Sequence, residues 1–194
     1  MTAPALDTRT FDGVTIPTPG TFALDAAHSE VAAVVRHLVV SKVRGSFANV
    51  TGTIVVAEDP LQSTVTASIP ADTINTNSPD RDTHLRSADF LDVENHPTLD
   101  FRSTSVVSHK GEEFVLRGDL TIRGVTREVD LKVEYDGVAR SPWGQEVIAF
   151  SASFEFDRED FGITWNQALE TGGMLVSKKV AVQISAQAIR QAAE

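Results

Sequence analysis

Histidine comes first among the residues that could do chemistry, because its imidazole both ligates metals and shuttles protons near neutral pH. The chain has five, His28, His37, His84, His96 and His109. His28 and His37 are too far apart to be neighbours on one strand, and no pair has the short ligand spacing of a zinc motif. His28, His37 and His84 would form a metal site only by converging in space. The plainer reading puts His28 after Asp25 in a strand-ending turn and His37 as a hydrogen-bonded residue at a rim. Cysteine is absent, which removes thiol catalysis, disulfides and thiolate-bound zinc. The carboxylate pairs Asp80 with Asp82 and Glu159 with Asp160 fall in a helix start and a polar turn, where capping and solvation suffice to explain them. Acid–base work by paired carboxylates needs one of them held in an apolar pocket. There is no Gly-x-Ser-x-Gly elbow, Walker loop or dinucleotide fingerprint. No catalytic residue, metal ligand or cofactor is therefore assigned, and the expectation is a protein that is not an enzyme.

The elements around these residues read as strands. Apolar and polar residues alternate at Glu128-Val129-Asp130-Leu131-Lys132-Val133-Glu134-Tyr135, the period of a half-buried strand. The same alternation runs through Phe114, Leu116, Gly118, Leu120 and Ile122, through Ile148 to Phe156, and through Val180, Val182 and Ile184. Val65, Ala67 and Ile69 share a face against Thr64, Thr66 and Ser68. Turn chemistry at His109–Glu112, Arg123–Thr126 and Arg140–Gly144 separates the runs. Short strands at this spacing predict an antiparallel sandwich or barrel. The apolar parity switches between Phe47 and Val50, which predicts a β-bulge near Ala48-Asn49. A single helix is expected from Ser78-Pro79-Asp80, with Ser78 at the N-cap and Pro79 first, running to Asp89-Phe90.

The chain of 194 residues carries a net charge of −10, so nucleic acid is repelled and anionic membrane surfaces are disfavoured. No apolar run approaches the roughly 20 residues of a spanning helix. The first residues show neither a basic opening nor an apolar stretch, which predicts a cytoplasmic protein with no membrane insertion. Residues 1–20, with Pro4, Pro17, Pro19 and Gly20, read as an irregular arm, 21–187 as one domain and 188–194 as a tail.

An ordered series of blocks carries a more specific signal. It runs Leu24-Asp25-Ala26-Ala27-His28-Ser29, Arg36-His37-Leu38, Val43-Arg44-Gly45-Ser46-Phe47, Arg81-Asp82-Thr83-His84-Leu85 and Asp89-Phe90-Leu91-Asp92. It continues with Pro97 to Phe101, Gly118 to Thr126, Asp160 to Asn166 and Glu170-Thr171-Gly172-Gly173. Over residues 21–187 the chain resembles the YceI-like family of polyisoprenoid-binding proteins, in particular its soluble actinobacterial branch. The resemblance implies an all-β fold: an extended, lipocalin-like antiparallel β-barrel of about eight strands with one short helix. It also implies an internal tunnel for an isoprenoid, a prenyl quinone or a fatty amide, and a homodimer, since many members pair. The chain departs from the family pattern at Ala33, where an aromatic is common, and at Ser177-Lys178, where the turn before the last strand is commonly Gly-Asp.

In a barrel, alternate residues face inward. The inward set expected to line the tunnel is Val31, Ala33, Val35, Phe114, Leu116, Leu120, Val129, Leu131, Val133, Phe150, Phe154, Val182 and Ile184. Strands of about ten residues tilted by about 40° give a tunnel about 25 Å deep. His37, Arg81, His84, Trp165 and Asn166 are expected at its mouth, with Arg81 and Asp82 alternatively a helix-end ion pair. Binding of a long apolar lipid is the leading reading. A filled β-sandwich acting as an interaction module is the alternative, and a lipid-modifying isomerase or hydrolase the third.

Overall fold

The computed structural model describes residues 6–38, 40–170 and 172–192. The strands are β1 (Thr8–Phe11), β2 (Val14–Pro17), β3 (Gly20–Leu24), β4 (Glu30–His37), β5 (Ser41–Phe47) and β6 (Thr51–Val56). They continue with β7 (Thr64–Pro70), β8 (Thr98–Lys110), β9 (Glu113–Ile122), β10 (Val125–Arg140), β11 (Glu146–Asp157) and β12 (Val176–Arg190), and helix α1 spans Pro79–Arg86.

Neighbouring strands follow the order β11-β10-β9-β8-β7-β6-β3-β12, and β12 pairs back onto β11 to close the sheet. β3 and β4 share one position, because β12 pairs β4 from Val176 to Ser185 and β3 from Ala188 to Arg190. β5 and β6 likewise pair β4 and β3 in turn. Counted so, the sheet is an eight-position antiparallel barrel, as the resemblance implies; of the sandwich and the barrel that the alternation leaves open, it is the barrel.

Both breaks have local causes. At Asp25–Ser29 the Asp25 carboxylate accepts from the Ala27 N–H and lies 2.7 Å from His28 Nδ1, an Asx-type turn. His28 and that backbone contact hold the Asp25 carboxyl below the usual range. At the predicted bulge the strand is interrupted outright: Asn49 adopts a left-handed φ of 58° and Val50 turns inward, 3% exposed.

Long connections gather at one end of the barrel, called here the upper end. Residues 71–97 carry α1, and residues 158–175 join β11 to β12. Ser78 is the helix N-cap with Pro79 first, and Asp80 and Asp82 sit in the favourable first turn. The helix stops at Arg86, short of the expected Asp89-Phe90, because Ser87 donates through both N–H and hydroxyl to the His84 carbonyl.

The chain ends differ from expectation. Within the arm read as irregular, β1 and β2 pair from Thr8↔Pro17 to Phe11↔Val14, turning at Asp12-Gly13 with positive φ at both residues. The residues read as a tail from 188 onward extend β12 to Arg190, where Ala188 is fully buried and Ile189 pairs Ala23. Ser177 and Lys178 belong to β12 rather than to a turn before it. The register shifts there, and Ser177 Oγ accepts from the Arg36 N–H while donating to the Lys179 carbonyl. Thr171 of the Glu-Thr-Gly-Gly block, the first five residues of the arm, and residues 193–194 lie outside the described residues.

Candidate functional site

The barrel interior is a chain of three chambers. The middle one, about 190 Å³, is walled by inward residues of nearly every strand. Ten of the expected lining residues meet there: Val31, Phe114, Leu116, Leu120, Leu131, Val133, Phe150, Phe154, Val182 and Ile184. It holds no titratable side chain, and Ser29 and Ser185 are the hydroxyl-bearing residues on its wall. An apolar cavity of this kind binds water poorly and hydrocarbon well. Val129 is half-buried and packs against two of the core clusters without facing a chamber.

Ala33 and Val35 lie further up, in an upper chamber of about 440 Å³ that shares Leu99, Ile122 and Phe156 with the middle one. His37, Arg81, His84 and Trp165, expected at the mouth, all line it. The residues that fix its shape are mostly on the two long connections. His84 stands edge-on to Trp165 at 4.7 Å and to Phe90 at 5.0 Å, while its Nε2 lies 2.8 Å from Asp89 Oδ2. One nitrogen of His84 is thereby engaged, and the ring serves as part of an aromatic wall.

The helix-end ion pair between Arg81 and Asp82 does not form. Both side chains bond Thr76 instead: Arg81 Nε donates to its hydroxyl and Nη2 to its carbonyl, while Asp82 Oδ1 accepts from its N–H and hydroxyl. Together these bonds tie α1 to the end of the segment that follows β7. Asn166 is a brace rather than a chamber residue. Its side-chain amide donates to the Val176 carbonyl and accepts from the Val176 N–H, pinning the 158–175 connection to β12.

Arg158 was missed from sequence. It is 3% exposed, and it donates from Nε to the Ser177 carbonyl and from Nη1 to the carbonyls of Ile163 and Trp165. Burial pulls its guanidinium below the usual arginine range. Its setting, Asp157-Arg158-Glu159-Asp160, reads as a solvated charged turn, so nothing in the sequence marks it as interior. Phe156 and Val180 also line the upper chamber; their strand parity matches residues already placed inward and could have identified them.

A lower chamber of about 140 Å³ shares Ile54, Val65, Phe114, Leu116 and Phe150 with the middle one. Phe11, Val14, Ile16 and Pro17 of the β1–β2 hairpin line it against Tyr135 and Ile148. From the sequence none of these hairpin residues is expected inside; Asp12-Gly13 followed by the alternation Val14-Thr15-Ile16 is the signal that could have found them.

The titratable side chains on the chamber walls are confined to the two ends. Among the described residues, no three His, Asp or Glu side chains are grouped so as to hold a metal ion. Among the described residues, no helix is long and apolar enough to cross a membrane.

Residues 22–188 match the YceI-like domain. The chain belongs to the YceI-like family. UPF0312 proteins of Staphylococcus aureus and Staphylococcus epidermidis are 39% identical to it over 171 residues, 86% of this chain and 95% of theirs. Among solved structures, the Campylobacter jejuni YceI protein superimposes with a TM-score of 0.68 at 27% identity, covering 81% of this chain and 90% of that one. BcnA of Burkholderia cenocepacia gives 0.72 at 19% identity, covering 84% and 98%, a likeness of fold. A polyisoprenoid-binding domain from Saccharophagus degradans gives 0.69 at 13% identity, covering 88% and 98%, again a likeness of fold. The YceI-like match begins at Phe22, beyond the hairpin that lines the lower chamber.

Proposed function

We propose that this YceI-like protein binds one long-chain apolar lipid, an isoprenoid, prenyl quinone or fatty amide, along the barrel axis and does no chemistry on it. The observation that carries the reading is the middle chamber, an apolar passage joined to a chamber above and a chamber below. A compact polar metabolite would find no charged group on that wall and hydroxyls at Ser29 and Ser185 alone, whereas each methylene moved into it from water contributes roughly 0.8 kcal/mol. The head would lie in the upper chamber, where His37, Arg81 and Trp165 supply the polar and aromatic wall. Binding then serves to sequester or carry the lipid, with no nucleic acid involved.

Mass spectrometry of an organic extract of the purified protein tests this. The expected result is a lipid at close to one per chain, which the stripped protein takes up again. Empty extracts, together with no uptake of prenyl quinones or fatty amides, would overturn the reading in favour of a ligand-free module.

A further inference from the structure

We infer that the β1–β2 hairpin is the floor of the tunnel and sets the length of the lipid chain that the barrel accepts. The inference rests on the lipid-binding reading and goes beyond it by assigning length selection to named residues. β1 and β2 pair with each other and with no barrel strand, so the barrel closes without them. Their apolar side chains nevertheless point into it: Val14 and Ile16 pack on the cluster of Phe22, Ile54, Val56, Tyr135 and Ile148. With Phe11 and Pro17 they form the outer wall of the lower chamber, so a chain threaded from above meets them last.

The hairpin is fastened from several sides of the rim. Arg9 donates to the carbonyls of Ala57 and Glu58 in the β6–β7 connection. Asp12 accepts from the Gly111 N–H at 3.2 Å in the β8–β9 turn, beside which Phe11 lies 5.5 Å from the His109 ring. At the end of β12, Arg190 donates to the carbonyls of Thr18 and Pro19 and pairs with Glu146 at 2.8 Å. A segment held on three sides of the rim acts as a fixed stop. Its stop is apolar, as the methyl end of a chain requires.

The experiment uses the full-length protein, stripped of lipid, and a series of straight-chain primary fatty amides of increasing length. Affinity should rise about fourfold per methylene and then cease to rise at the length that reaches the floor. Ile16→Ala deepens the lower chamber and should move that length up by one or two carbons. Ile16→Phe and Val14→Phe fill it and should move the length down. Thr15→Ala, on the exposed side of β2, should leave it unchanged. Melting curves confirm that each variant is folded, and the two filling variants carry the test if Ile16→Ala is not. A limiting length identical in the folded filling variants and the parent overturns the inference while leaving lipid binding intact. A parent with no limiting length does the same, whereas no binding at any length overturns the lipid reading itself.

Discussion

Tyr135 is the only tyrosine in the chain, and its hydroxyl is buried beside the lower chamber without a hydrogen-bond partner. Loss of hydration, with a smaller contribution from Glu146, pushes its pKa up to about 12. The unfolded chain would release that proton near 10. The folded state therefore favours the neutral phenol, and stability present below pH 10 is lost as pH rises from 10 through 12, by about 2–3 kcal/mol. A single tyrosine makes the ultraviolet titration unambiguous, and the expected midpoint is near 12 with the fold intact. Tyr135→Phe should remove the alkaline loss and leave stability at neutral pH unchanged or slightly higher, because an unpartnered buried hydroxyl contributes nothing to offset its dehydration. A midpoint near 10 in the folded protein would contradict this placement.

Among the elements, β8 and β9 approach closely around Gly118. A Cβ there would fall 2.5 Å from Phe101 Cζ and 2.6 Å from the Arg102 carbonyl oxygen. The carbonyl is backbone and cannot step aside, and the pair's register already shifts at Ser103/Ser105. Gly118→Ala should therefore cost about 1–3 kcal/mol, read as a lower urea midpoint with an unchanged slope. Gly45→Ala, whose added carbon would meet the Ile74 and Thr76 side chains, should cost less because side-chain ends can give. Equal losses at the two sites would argue against a backbone clash at Gly118.

For the whole molecule, Ala33 tests whether the upper barrel is hollow. Ala33 lines the upper chamber and pairs Gly45 and Val182 in the neighbouring strands. Ala33→Trp in a filled core would cost at least the 1–3 kcal/mol or so of overpacking. In a chamber of about 440 Å³ the indole occupies space that ligand would otherwise take. The lipid-free protein should keep its melting temperature while lipid uptake falls. Lys132→Glu, exposed on the outer face between Leu131 and Val133, should change neither. A large drop in melting temperature with undiminished uptake would show the site to be packed.

Strand alternation made the barrel wall legible, because in a strand the side chain's face follows from its residue number alone. Ten lining residues of the middle chamber follow from that rule, as do Ala33 and Val35 above it. The ends of the tunnel were harder to read. At the top, His37, Arg81, His84 and Trp165 fall in family blocks, while Arg158 hid in a run of charges whose burial depends on the carbonyls of Ile163 and Trp165 in its own connection and of Ser177 in β12. Asn166 shared a block with Trp165, yet its amide turns to β12. At the bottom, the Pro- and Gly-rich composition of residues 1–20 concealed a hairpin with four residues in each strand. Two strands of that length form no stable unit alone; they become one against Tyr135 and Ile148, more than a hundred residues later in the chain. The sequence by itself determined which side chains point inward. What closes the barrel below was decided by contacts between segments far apart in the chain, and the burial of Arg158 by the folded path of its own connection, neither of which a strand period encodes.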